Sequence, residues 1–330
     1  MVLSQLGLQN MAMAWALPYQ PPAASTISDS VDQLYFVLTG ITLFFTVLIF
    51  SIIFYFMVKY RRRSEDEKPP ETHTSMVLEL TWTIIPSLMC VVLFVWSSAI
   101  YVRNSRPPAS STEIFVIGKQ WMWHLQHPEG PREINELHIP VGVPVKLTMT
   151  SQDVIHDFYV PAFRVKKDAQ PGRYTTLWFQ PTEVGTYHLF CAQYCGTDHG
   201  VMIGWVYVMS PKDYAAWLAG GEKTESMAQQ GAHLYTQFGC DSCHGAAGEG
   251  AGGRGPALAG IYGRAEKLSN GETRAVDEAL IRQSVLTPNS VQVPGYQAIM
   301  PTYQGQLTEE QMLQLIAYIK SLGSQERNAK

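Results

Sequence analysis

The chain has 330 residues, with 24 lysines and arginines against 28 aspartates and glutamates, and its formal net charge of −4 excludes the basic footprint of a nucleic-acid binder. Charged residues are only 16% and hydrophobic ones 46%, a balance that suits a mixture of membrane and soluble parts. The length accommodates two compact domains of roughly 100–150 residues with further segments, which excludes a single-domain reading.

The first 25 residues are apolar and carry an Ala-rich stretch before Pro21 and Pro22, yet lack the positive start of a secretory signal. Residues 1–32 are therefore either an outward-facing N-terminal segment or a signal. From Gln33 to Val58 no residue is charged, and this predicts a transmembrane helix over 33–60. Lys59, Arg61, Arg62 and Arg63 then mark the loop 61–75 as cytoplasmic. A second uncharged run, Leu80 to Val102, predicts a second span over 76–103, with Pro86 tolerated inside it. Both ends of this hairpin face outward, and the lipid bilayer is a partner.

Over 106–210 the pattern changes to short alternating runs: Glu113 to Leu125, Val141 to Ser151, Arg173 to Gln180, Gly185 to Phe190 and Met202 to Met209. Turn residues separate them, which predicts an all-β sandwich or barrel. Residues 211–226 read as a linker with a short helix around Tyr214 to Leu218 that stops at Gly220 and Gly221. Residues 227–330 form a small helical domain, with a Gly-rich middle (Gly248 to Gly255) and a final helix from Thr308 to Leu322.

Cys90 lies inside the second span and reads as packing; the other four cysteines form two tight pairs near histidines. The run Cys191-Ala192-Gln193-Tyr194-Cys195-Gly196-Thr197-Asp198-His199-Gly200-Val201-Met202 sets two thiols, an imidazole and a thioether within twelve residues. Soft donors of this kind suit copper, zinc or iron clusters, and a disulfide is the plainer alternative for the cysteines alone. His156, about 35 residues upstream in Asp153-Val154-Ile155-His156-Asp157-Phe158, supplies a further ligand.

Together these residues resemble the dicopper (Cu-A) motif of cytochrome c oxidase subunit II, carried on a cupredoxin-like sandwich. The resemblance implies that Cys191 and Cys195 bridge two coppers, that His156 and His199 cap one each, and that Met202 and the backbone carbonyl of Gln193 are weaker ligands. The family usually has Glu at position 193, where its side chain helps to hold magnesium at the contact with the catalytic subunit. An amide is a poorer ligand for a hard cation, so magnesium is left open here. The strand Gly118-Lys119-Gln120-Trp121-Met122-Trp123 resembles the family's aromatic strand, which makes Trp121 the point where the electron enters; packing of a β-core is the other reading. Glu79, at the start of Glu79-Leu80-Thr81-Trp82, matches the family's carboxylate at the mouth of a proton pathway, with a water-exposed helix-end carboxylate as the alternative. His73, His124, His127, His138, His188 and His233 belong to no such group and read as surface or core histidines.

Cys240-Asp241-Ser242-Cys243-His244 is the c-type heme attachment pattern: two thiols for thioether links and a proximal imidazole. Met300, before Pro301, is where class I cytochromes c place the opposite axial ligand, while Met227 and Met312 sit at packing positions. Tyr318 and Leu322 read as the apolar face of the last helix against the heme.

The fold class is therefore multidomain: a two-helix transmembrane hairpin, an all-β cupredoxin-like sandwich and a small all-α class I cytochrome c domain. The resemblance implies the electron-input subunit of a respiratory heme–copper oxidase in a bacterial inner membrane, with both redox domains on the periplasmic face. Its cofactors would be a dinuclear copper centre and one covalent heme c, and its partners the catalytic subunit I, further oxidase subunits and a cytochrome c type donor. The same parts would serve the small subunit of a nitric oxide reductase with a dicopper centre, or a membrane-tethered electron carrier. Quinol oxidase subunits lack these copper ligands, and no oxygen-reducing site is encoded here.

Overall fold

A computed structural model describes residues 20–68, 74–220, 225–250 and 254–328. The expectations for residues 1–19 and for His73 lie outside the described residues. The chain divides into two units, Ile27–Arg106 and a second that joins Pro107–Lys330 to the residues up to Thr26.

The first unit is the helical pair. Helix α1 spans Ser28–Lys59 and α2 spans Met76–Asn104, and both are long and apolar enough to cross a membrane. Leu43, Phe44 and Phe50 on α1 and Leu88, Val92 and Phe94 on α2 are exposed, as suits side chains whose solvent is lipid. Helix α1 begins at Ser28, ahead of the uncharged run, because its polar first turn carries Asp29 against the positive end of the helix dipole. Ser75 caps α2 by accepting the Leu78 amide. Pro86 leaves α2 continuous, and the neighbouring Ser87 hydroxyl donates to Thr83 O at 2.6 Å.

The second unit opens its main part with a sandwich of two five-stranded sheets. One runs in the order β3-β2-β1-β5-β8 and the other β4-β10-β9-β6-β7. The strands are β1 Thr112–Lys119, β2 Met122–Gln126, β3 Arg132–Ile134, β4 Glu136–Pro140, β5 Val145–Ser151, β6 His156–Val160, β7 Val165–Ala169, β8 Thr175–Phe179, β9 Gly185–Cys191 and β10 Ile203–Met209. Trp123 on β2 meets Phe158 on β6 edge-on at 5.1 Å, which stitches the sheets across the core with Val116, Leu147, Leu189 and Val206 fully buried. The expected run from Glu113 to Leu125 is two strands, turning at Gln120 and Trp121. Strand β6 is the neighbouring strand expected to carry His156, and β3, β4 and β7 add to the expected set.

Helix α3, Pro211–Gly220, lies where the linker helix was expected. The cytochrome part follows with α4 Met227–Gln237, the short α5 Asp241–His244, a hairpin of β11 Ala265–Lys267 and β12 Thr273–Ala275, then α6 Glu278–Leu286 and α7 Glu309–Asn328. Ser226 and Gln229 form a capping box at the start of α4. Tyr235, Leu280, Ile281, Met312, Leu315 and Ile316 build the core. Strand β1 is buried on both faces: Ile114 and Val116 point into the sandwich, while Phe115 and Ile117 pack on Met227 of α4 and Leu313 of α7.

Candidate metal centre and heme site

Period-two alternation sets the metal residues on one face. Phe158 of β6 pairs with Cys191 at the end of β9, and His156 lies two residues from Phe158 on the same side. The chain then loops out and returns at β10, closed by the Cys191 amide donating to Met202 O at 3.1 Å. Cys191 Sγ stands 3.8 Å from Cys195 Sγ, 3.9 Å from His156 Nδ1 and 3.3 Å from Gln193 O; Cys195 Sγ stands 3.5 Å from His199 Nδ1 and 3.8 Å from Met202 Sδ. All six expected donors thus converge, with both thiols free. The Gln193 side chain itself is exposed.

His156 and Met202 are 0% exposed, Cys195 3% and Cys191 8%, so water is kept off the sulfurs. Burial opposes ionisation of both thiols. At Cys191 the hydrogen bonds with His156, with the backbone of Asp157 and Gln193 and with Cys195 together outweigh it, and the pKa falls to about 7, whereas burial and the adjacent Cys191 push Cys195 up to about 12. The pair alone thus favours one thiolate, and a second needs a cation beside it. The donor set of two thiols, two imidazoles, a thioether and a carbonyl fits soft or borderline metals such as copper.

Neighbouring groups aim this set. His156 Nε2 pairs with Asp153 Oδ1 at 2.9 Å, which turns Nδ1 toward Cys191. Gln120 Nε2 and Trp121 Nε1 both donate to Cys195 O, at 2.8 and 3.2 Å. Gly196, at φ 120°, admits them: a Cβ there would lie 2.9 Å from Gln120 Nε2. Trp121 is therefore in contact with the metal loop, while Trp123 belongs to the core.

In the cytochrome part, Cys240, Cys243, His244 and Met300 line one cavity of about 440 Å³ walled by Phe238, Leu280, Ile281, Val285, Leu315 and Ile319. His244 Nδ1 lies 2.8 Å from Pro256 O; a carbonyl only accepts, so Nδ1 bears the proton and Nε2 keeps a lone pair for a metal. Gly255 lets that loop close on the ring, since a Cβ would lie 3.0 Å from His244 Cε1. Apolar walls, two thiols, an imidazole and a thioether fit a heme. Met227 and Met312 are buried in cores and do not line this cavity. The expected roles of Tyr318 and Leu322 are corrected: Leu315 and Ile319 face the cavity, and Tyr318 packs on Tyr235 at 5.2 Å.

Glu79 sits in the first turn of α2, half-buried. A group the sequence did not signal is His127, Glu133 and His138. His127 Nε2 lies 2.7 Å from Glu133 Oε1, His138 Nδ1 contacts Glu133 Oε2, and His138 is stacked between Tyr207 and Trp217. The residues come from two short strands, β3 and β4, and the β2–β3 turn with no recognisable spacing, and together they tie α3 to the sandwich.

A membrane-anchored electron-transfer protein is what these elements define: an apolar helix pair, a sandwich with a soft-donor metal loop and a c-type heme cradle. The sequence matches the family models for the cytochrome c oxidase subunit II transmembrane domain over residues 12–100, its periplasmic domain over 132–208 and cytochrome c over 228–323. Cytochrome c oxidase subunit 2 of Alkalihalophilus pseudofirmus is 32% identical, covering 96% of this chain and 92% of its own. The alternative cytochrome c oxidase subunit 2 of Bradyrhizobium diazoefficiens is 30% identical over 58% of this chain and 78% of its own. A crystal structure of the periplasmic domain of subunit II of cytochrome oxidase from Bradyrhizobium japonicum is 31% identical, covering 36% of this chain and 98% of that one, with a TM-score of 0.35. The chain belongs to the cytochrome c oxidase subunit II family, in a form with a fused cytochrome c domain, and is a component of an oxidoreductase.

Proposed function

We propose that this chain is the electron-input subunit of a respiratory heme–copper oxidase, taking electrons from a cytochrome c type donor through its own heme c and a dicopper centre to subunit I, where oxygen is reduced to water with proton translocation. Convergence of six donors around Cys191 and Cys195 supports this reading most directly. When bound, the iron and the copper pair supply one-electron redox chemistry.

The residues' own work is holding and shielding. Cys191, Cys195, His156 and His199 would hold the copper ions, with Met202 and the Gln193 carbonyl as weaker donors. Burial and the Asp153, Gln120 and Trp121 hydrogen bonds hold that geometry fixed, which keeps reorganisation small. Cys240 and Cys243 would anchor a heme, and His244 and Met300 would be its iron ligands, in an apolar cavity that would favour the less charged state. Trp121 is the point of electron input, Glu79 opens a proton pathway, and magnesium at the subunit contact is left open, since Gln193 offers an amide, a poorer ligand for a hard cation. Basic residues after α1 orient the hairpin in a bacterial inner membrane with the redox domains periplasmic.

Metal and heme analysis of the purified full chain tests the reading. Two coppers and one heme that stays with the denatured polypeptide are expected. Cys195→Ser should abolish the dicopper absorption and leave the heme spectrum intact; joint loss of both would overturn the assignment of independent sites.

A further inference from the structure

Between sandwich and cytochrome part lies an apolar centre, Phe115 and Ile117 against Met227 and Leu313, bordered by a square of four charges. Glu113 Oε1 accepts from Lys146 Nζ at 2.8 Å, and Glu113 Oε2 accepts from Lys320 Nζ at 2.6 Å. Lys320 also reaches Glu278 Oε1 at 2.9 Å, and Lys146 reaches it at 3.6 Å. Thr148 and Tyr262 hydroxyls donate to these carboxylates, each at 2.6 Å. The four side chains are 13–22% exposed. Each cation touches both anions, and the square is neutral, so removing one member strands a shielded charge.

Glu113 and Lys146 come from neighbouring positions of β1 and β5, on the face that turns away from the sandwich core. Glu278 and Lys320 come from α6 and α7. Two more anchors spread across the same sheet: Arg132 of β3 pairs with Glu310 at 3.0 Å, and Arg282 Nη1 donates to Gly172 O in the β7–β8 turn at 2.9 Å. A domain on a loose tether needs neither the covered apolar centre nor three separated polar anchors.

We propose that the Glu113–Lys146–Glu278–Lys320 square is a positioning device that holds the heme-binding domain on the outer face of the metal-binding sandwich at one separation, so that electrons pass between the two sites without domain swinging. It rests on the heme and dicopper reading above. The step served moves one electron from one site to the other, with no bond made or broken. Aqueous spans slow such transfer steeply, and a fixed contact removes the search.

Carbodiimide, which joins a carboxylate to an amine in direct contact with loss of water, is expected to link Glu113 to Lys320 in the full chain, detected by peptide mass spectrometry. In Lys320→Met the heme and copper spectra should stay as in the parent, while internal electron transfer after photoreduction of the heme slows by about tenfold or more, since small misplacements of reacting centres are costly. Lys320→Arg keeps the charge and should recover the rate to within about twofold. Glu113→Gln gives the same comparison if Lys320→Met does not fold. No Glu113–Lys320 link in the parent chain, or an unchanged rate in a variant with intact spectra, overturns the proposal; a parent chain lacking either spectrum overturns instead the site reading beneath it.

Discussion

Asp153 receives His156 Nε2 at 2.9 Å on one carboxylate oxygen and the Gln120 amide at 2.8 Å on the other. Burial opposes its charge, but these hydrogen bonds outweigh burial and hold its pKa below the usual value. Asparagine keeps the shape but has one acceptor and one donor, so its NH2 must face either the Gln120 N–H or the His156 N–H. Asp153→Asn is therefore expected to lower copper affinity by roughly 10–100-fold, as loss of a carboxylate behind a metal-binding histidine does. Competition with a copper chelator measures it, and heme content should not change. Asp153 was within reach of the sequence, three residues from His156, yet nothing in its spacing marks it as the histidine's partner. The ligands themselves were legible because five of them fall in one short run and the sixth in a neighbouring strand. Glu133 was not, because its histidine partners come from separate short elements whose meeting only the sheet register determines.

Where α4 crosses α7, Gly231 faces the backbone of Gln314, and a Cβ built there would lie 2.0 Å from Gln314 O. An exposed helical glycine gains stability on replacement by alanine, by about 0.5–1 kcal/mol. Here the obstacle is main chain, which cannot rotate aside, so the sign reverses. Gly231→Ala should cost on the order of 1–3 kcal/mol, the range for overpacking a fitted contact. Thermal unfolding followed by circular dichroism reads this as a lower Tm, and an unchanged or raised Tm would refute the close crossing. The same crossing explains what the sequence left unreadable about α7. Its apolar residues recur at helical spacing, but periodicity reports stripes and not partners. Leu315 and Ile319 turn to the heme cavity and Leu313 to β1, while Tyr318 goes to Tyr235. Strand β1 was expected to alternate, but its run Ile114-Phe115-Val116-Ile117 is apolar at every position, as befits a strand covered on both faces. The turn at Gln120 and Trp121 was invisible because neither residue is a turn former.

Across the whole second unit, paired carboxylates decide how stability responds to acid. Burial opposes the charge of Glu278, but Lys320, Lys146 and the Tyr262 hydroxyl overcome it and bring its pKa down from 4.5 to about 2. Glu113 is lowered against burial by Lys320 and Lys146, and Glu133 by His127 and His138. A carboxylate with a depressed folded pKa stabilises fully above its unfolded value and loses that contribution as pH falls through the folded one. Asp157 runs the other way: burial raises it to about 6, so its contribution is present below 3.8 and is lost as pH rises through 6. Glu278 therefore gives up its contribution between about pH 4.5 and 2, and Glu113 and Glu133 give up theirs as pH falls below 4.5, which weakens the attachment of the cytochrome part and of α3 to the sandwich. The Tm of the full chain should therefore fall most steeply within that window, by circular dichroism at a series of pH values. In Lys320→Met the fall across this window should shrink, because Glu113 and Glu278 lose their shared cation and titrate nearer their ordinary value, leaving less difference between folded and unfolded chains. A Tm flat from pH 4.5 to 2.5, or an acid limb that Lys320→Met leaves in place, would mean that these charges do not hold the two parts together.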